Sequence, residues 1–328
     1  MRYRPWGEVA WALTLSSPKK WNFIGALGTE ERSLCSWNLF QSLQVLEGER
    51  FIQIDDVESE KYRAKTQAAL TARYQEFNQR GGDPATVHTM SLMSELFHIL
   101  KFSQEAIAMG TSVVLDITSL PKRFFFPILK ALTLSDRVHN LLVTYSLPET
   151  YADGALYEDI DTWKNLPGFG GEATGRESLI VSIGFLVESL KGYFADVPNH
   201  GEVKMLIPFP APLAVLKRTW ESVSNIERER DNRPFEKYRV ETRDMSAAFD
   251  RIQSLASNTK NPTAFAPFGP KPTSAAMCLY AIQNNSAVYY PQPTVYHPEY
   301  SLGIRNNDPR SAVNAYWIKH EGENLYSV

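Results

Sequence analysis

Short apolar runs alternate with longer segments of helical period along this chain, and the alternation occurs twice in the same order. In the first half the runs are residues 23–27, 51–54, 86–90, 113–117 and 141–145, and the helical segments are 34–46, 60–79, 94–109 and 124–135. In the second half the runs are 179–183, 204–208, 237–240, 263–266 and 287–290, and the segments are 187–194, 213–225, 245–257 and 274–282. Runs this short and this apolar suit strands covered on both faces, and their alternation with helices predicts βα units wound into parallel sheets. Residues 9–15 read as an added edge strand ahead of the first unit. The expected fold class is α/β: two doubly wound, mainly parallel, five-stranded Rossmann-like domains related by internal duplication.

The boundary follows from turn chemistry. Leu166-Pro-Gly-Phe-Gly-Gly171 has no periodicity, so a connector at 153–176 separates a first domain, 1–152, from a second, 177–328. A length of 328 residues calls for two domains of ordinary size. The chain is 43% hydrophobic and 22% charged, the balance of a globular protein. With 34 basic and 37 acidic side chains its net charge is −3, so extended duplex nucleic acid and membrane surfaces are not expected partners. Cys35 and Cys278 are too few for a disulfide framework, and neither a signal core nor a membrane-spanning run is seen; a cytoplasmic location is expected. The mixed-charge stretch 227–233 reads as a solvated helix end.

In a doubly wound sheet, ligands bind past the carboxyl ends of strands where the winding reverses. With the common strand order, those are the loops after the first and fourth strands. The first is Gly28-Thr-Glu-Glu-Arg-Ser33: Gly28 for a tight turn and close backbone approach, Thr29 or Ser33 as a helix cap, Arg32 for charge, and Glu30 as a carboxylate. The second is Asp116-Ile-Thr-Ser-Leu-Pro-Lys-Arg123. There Asp116 and Thr118 end an apolar strand, Ser119 caps, and Lys122 and Arg123 open the next helix, where cations oppose the helix dipole unless an anion is bound. The second half offers Gly269-Pro-Lys-Pro-Thr-Ser274, with Lys271 and the hydroxyls of Thr273 and Ser274, but no carboxylate where Asp116 stands. Tyr145, Ser146, Tyr151, Tyr289, Tyr290 and Tyr296 in the closing segments offer faces for a base or fill the rim. The chain contains no Walker A loop, GxGxxG, GxSxG or HExxH motif, and its six histidines have no metal spacing. No cofactor or metal is expected. His88 and His98 approach the first crevice in this reading.

The loops Leu27-Gly28-Thr29 and Asp116-Ile-Thr118, the latter followed by Lys122 and Arg123, resemble the two ligand-binding motifs of the CRISPR-associated Rossmann-fold (CARF) sensors and their SAVED relatives. The glycine common after the threonine in that family is replaced here by Ser119-Leu-Pro, and no nuclease or winged-helix segment is recognisable. The resemblance implies a pair of Rossmann units holding a cyclic oligonucleotide between them, in bacterial antiviral defence. Lys122, Arg123 and Lys271 would then hold phosphates, while Asp116, Thr118, Ser119, Thr273 and Ser274 read sugar or base. An effector protein would be a second partner. Two other functions stay open on the residues alone: an enzyme acting on a nucleotide or phosphorylated small molecule, with Asp116 or Glu30 as acid or base, and a scaffold subunit of a larger complex.

Overall fold

The structure is a computed structural model, and it describes residues 3–15, 20–54, 60–151, 157–160, 162–171, 176–184, 187–196, 201–211, 213–229 and 234–327. In chain order the first stretch holds β1 (Trp6–Glu8), α1 (Val9–Thr14), β2 (Trp21–Leu27), α2 (Cys35–Ser42), β3 (Leu46–Ile54), α3 (Glu60–Gln79), β4 (Val87–Met90), α4 (Leu96–Ala108), β5 (Ser112–Asp116), α5 (Lys122–Leu134), β6 (Asn140–Ser146), β7 (Thr150–Tyr151) and β8 (Tyr157–Ile160). Next come β9 (Ser178–Ser182), α6 (Leu190–Asp196), β10 (Val203–Phe209), α7 (Leu213–Glu229), β11 (Glu236–Glu241), α8 (Met245–Ser257), β12 (Thr263–Pro267) and α9 (Lys271–Asn284). The chain closes with β13 (Pro293–Tyr296), β14 (Ser301–Leu302), α10 (Pro309–Ala312), β15 (Val313–His320) and β16 (Glu323–Asn324).

Two compact units result. One comprises Arg2–Ile160 and Pro293–Leu325, the other Asp161–Gln292 with Met1 and Tyr326–Val328. We call them the large and the small unit. The sheet of the large unit runs β1-β15-β6-β5-β2-β3-β4. Its five strands β6, β5, β2, β3 and β4 are all parallel, while β15 and β1 add antiparallel strands at one edge. Every residue of β2, β5 and β6 is buried, as strands covered on both faces by helices must be. Beneath them the rings of Trp37, Phe51 and Phe77 pack at centroid separations of 5.0–6.1 Å. α5 buries Phe124, Phe125, Phe126, Ile128, Leu129 and Leu132 against the sheet.

The small unit has a parallel sheet of order β11-β10-β9-β12. Its winding repeats that of β4-β3-β2-β5 in the large unit. The fifth strand expected at 287–290 forms only a parallel bridge between Val288 and Phe265 and an antiparallel one between Tyr289 and Asn165.

Three further expectations change. Residues 9–14 form a helix, not an edge strand: Val9 and Ala12, three apart, are the buried positions, which is a helical spacing. The edge strand is Trp6–Glu8, just before it. The stretch Pro293–Leu325 also leaves the second half, because β15 pairs with β6 from Val313↔Ser146 to Lys319↔Leu141 and completes the large unit's sheet. Finally, Glu227 is not simply solvated. It accepts a hydrogen bond from the Phe235 backbone N–H at 2.8 Å and ion-pairs with Lys237, tying α7 to β11; residues 230–233 lie outside the described residues. Among the described residues, no helix is long and apolar enough to cross a membrane.

Candidate functional site

β2 and β5 are neighbours in parallel register, Asn22↔Val113 to Ile24↔Leu115. From β2 the winding proceeds outward to β3 and β4, and from β5 it proceeds the other way to β6. The loops after β2 and β5 therefore leave the same sheet edge at the reversal point, as expected for the common strand order. They also touch. A Cβ on Gly28 would stand 2.8 Å from Ser119 Cβ and 3.1 Å from its Oγ. Gly28 has no left-handed φ, so the position needs glycine for close approach rather than for the turn.

Asp116 is fully buried. Its Oδ1 accepts from Thr118 Oγ1 at 2.7 Å and from Thr144 Oγ1 at 3.0 Å. Thr144 Oγ1 in turn accepts from Ser36 Oγ at 2.8 Å, and the Ser146 N–H donates to Thr118 Oγ1 at 2.9 Å. Asp116 and Thr118 thus stitch β5 to β6 and α2, and they set the shape of the loop. Above them Ser119 Oγ is buried with no hydrogen-bond partner among the described residues. The expected caps are not used: Pro121 is the N-cap of α5 without a side-chain bond, and Leu34 that of α2. The chain enters α2 through a 3-10 turn, Glu31–Leu34, and Ser33 Oγ reaches back to the Gly28 carbonyl at 3.5 Å.

The charged residues divide by burial. Arg32 is buried, with Nε donating to Glu30 Oε2 at 3.0 Å and to Ser301 Oγ at 2.8 Å. Its Nη1 donates to the Ser146 carbonyl at 2.6 Å and its Nη2 to Glu30 at 2.8 Å, with the guanidinium 5.4 Å from the centre of the Tyr145 ring. Burial alone would lower the Arg32 pKa, but Glu30 and the neighbouring tyrosines raise it above the ordinary value. Arg32 and Glu30 are thus an internal brace with Ser301. That role has no local signal, since Ser301 is 269 residues away. Arg123 donates from Nη2 to the carbonyls of Met93 (3.2 Å) and Ser94 (3.1 Å), which fixes the loop before α4. Lys122, half-buried at the start of α5, has its pKa pulled down to about 8 by burial. Burial likewise pushes the Cys35 thiol up to about 12, with Asp116 adding in the same direction.

The small unit repeats the close approach with different residues. A Cβ on Gly269, after β12, would fall 2.0 Å from Ser182 Oγ at the end of β9, and one on Gly184 would fall 1.9 Å from the Phe268 carbonyl oxygen. Thr273 and Ser274, expected to face a ligand, are buried in the first turns of α9; Ser274 Oγ donates to the carbonyls of Pro270 (3.2 Å) and Gly269 (3.4 Å). Ser182, which sequence reasoning missed, is buried with its hydroxyl unpartnered among the described residues. Its signal was the run Leu179-Ile-Val-Ser-Ile-Gly184, where a lone hydroxyl ends an apolar strand. Lys271 opens α9 as Lys122 opens α5. Among the described residues no group of three or more His, Cys, Asp or Glu side chains is arranged to hold a metal.

His88 and His98 are not in the crevice. They line a pocket at the β4 edge.

No family model matches the sequence, and no curated protein does. Among solved structures the chain is similar to a type III CRISPR defence DNA nuclease activated by cyclic oligoadenylate, with a TM-score of 0.51 and 9% identity. The match covers 82% of this chain and 65% of that one, so this chain spans less than two thirds of that nuclease. Such a likeness shows a shared fold. A ketoreductase domain from the bacillaene assembly line matches with a TM-score of 0.21 and 10% identity, over 82% of this chain and 65% of that chain.

Proposed function

We propose that this protein is a sensor of a nucleotide or cyclic oligonucleotide messenger in antiviral defence. The observation that carries the reading is the paired crevice: in each unit the loops after the first and fourth strands close on one another through a glycine and a serine, at the point where the winding reverses. In a parallel sheet this is where phosphates meet backbone N–H groups and helix starts. Lys122 supplies the positive charge in the large unit and Lys271 in the small one, and the hydroxyls of Ser119 and Ser182 donate to ligand oxygens. The shared winding order of the two sheets supports descent from one duplicated unit. The fold likeness to a nuclease that cyclic oligoadenylate activates makes cyclic oligoadenylates the first ligands to try.

Both carboxylates that an enzyme of this crevice would use have structural duties: Asp116 holds Thr118 and Thr144, and Glu30 holds Arg32 and Ser301. Binding without turnover at these residues is therefore favoured. Calorimetric titration with linear and cyclic oligoadenylates tests the proposal. The expected result is saturable binding by at least one of them, weakened about tenfold or more in Lys122→Ala through loss of a charge-assisted contact. Heat-free titrations across the panel, with the folded state verified by circular dichroism, would overturn it.

A further inference from the structure

We propose that the large unit has a second anion site, a pocket at its β4 edge built to take a small phosphoryl group. The pocket is a half-open cleft of about 300 Å³, the lower end of the range for small-molecule sites, so it suits one compact ligand. It sits where β4 ends and α4 begins. Met90 and Phe102 form an apolar part of its wall, with Phe102 in edge contact with the His88 ring at 5.2 Å.

The charges around it are already sorted. Glu105 is committed to Arg50, 3.1 Å from Nη1. The same Nη1 lies 2.7 Å from His88 Nε2. Arginine only donates, so Nε2 accepts, and the proton of the neutral ring sits on Nδ1 as a fixed donor. Burial, then the Arg50 charge, lowers the His88 pKa and keeps the ring neutral.

Two basic groups of the lining are left over. Lys101 and His98 are both exposed, and neither forms an ion pair among the described residues. The hydroxyls of Thr89, Ser91 and Ser94 complete the polar wall. Among the described residues the lining thus has one cation outside any ion pair, several neutral donors and no carboxylate outside one, a set that satisfies a group with several acceptor oxygens around a point charge. Arg123 acts here as a positioning residue: its bonds to the Met93 and Ser94 carbonyls hold the loop that carries Ser94.

The test uses the whole chain with ¹⁵N-labelled histidine, titrated with inorganic phosphate and with glycerol 3-phosphate, against sodium chloride at matched ionic strength. His98→Gln assigns the signals. Saturable shifts at His98 and His88 with either phosphate, absent with chloride, are expected. Lys101→Ala should weaken them about tenfold or more, while Lys122→Ala should leave them unchanged, which separates this site from the crevice. The inference is overturned if chloride reproduces the shifts or if Lys101→Ala titrates like the parent. It is equally overturned if neither phosphate saturates by about 10 mM, below which a site of millimolar affinity would fill. Lys101 and His98 are exposed, so neither substitution threatens the fold.

Discussion

Replacing Gly28 by alanine probes whether the two crevice loops are truly interlocked. The added methyl falls 2.8 Å from Ser119 Cβ and 3.1 Å from Ser119 Oγ, well inside the ~3.5–4.0 Å at which carbon atoms attract. Ser119 Cβ is carried by the backbone of a loop pinned through Asp116 and Thr118, so relief requires the loop itself to move. Overpacking of this kind costs about 1–3 kcal/mol. Removing the obstacle should remove the cost: in Gly28→Ala/Ser119→Gly the methyl enters the space that Ser119 vacated. Ser119→Gly has its own entropic cost of roughly 0.5–1 kcal/mol, which a double-mutant cycle subtracts. Urea unfolding of the four proteins should give a favourable coupling of about 1–2 kcal/mol. A Gly28→Ala protein as stable as the parent, or a double variant that is merely additive, would refute the interlock and with it the shape assigned to the crevice.

Four further outcomes are expected. Thr144→Val removes a hydroxyl that donates to Asp116 and accepts from Ser36, and should cost about 1–3 kcal/mol in chemical denaturation. Arg32→Met leaves Glu30 buried without its cation, and a loss of about 3–5 kcal/mol in the same assay is expected. Lys122 has a folded pKa of about 8 against an ordinary 10.5, so between those values the unfolded chain binds more protons, and stability should rise with pH across that window. Lys122→Met should flatten this rise; denaturant midpoints at pH 7 and pH 9.5 compare the two. Native Cys35 should resist thiol reagents at pH 8, because its thiol is buried and raised to about 12, and labelling should follow unfolding rather than thiol ionisation.

How legible the fold was depended on whether the deciding contacts were local. The apolar runs at 23–27, 113–117 and 141–145 became β2, β5 and β6 almost residue for residue, because a strand buried on both faces has to be apolar throughout. The order of winding was not legible in the sequence: the common order, with the first and fourth strands adjacent, entered as a condition, and the sheets have it. Helix starts were less legible than the strands: α5 begins at Lys122 rather than Phe124, and the caps assigned to Ser33 and Ser119 go unused. β15 was missed altogether. Val313–His320 mixes Asn314, Lys319 and His320 with its apolar residues, its partner is β6, about 170 residues earlier in the chain, and nothing local reports an antiparallel return to a sheet already five strands wide.

The same reasoning sorts the site residues. Sequence places a side chain by its type and by the loop that carries it, so Arg32, Arg123, Lys122 and Lys271 all read as phosphate ligands. Burial then sets Arg32 apart, and hydrogen bonds to carbonyls commit Arg123. A guanidinium taken out of water must satisfy several donors at once, and Arg32 meets that demand with Glu30, Ser301 and a carbonyl; the half-buried Arg123 gives its Nη2 to the carbonyls of Met93 and Ser94. An ammonium can also give up its charge when water is withdrawn, and burial leaves Lys122 with a depressed pKa. An anion brought beside it would raise that pKa, so binding above pH 8 should take up protons. Calorimetry in two buffers of unlike ionisation heat would register the uptake. On the proposed reading, a crevice that meets its ligand with Lys122, backbone amides and a buried serine hydroxyl would engage phosphate oxygens first and leave the choice among bases to groups farther out.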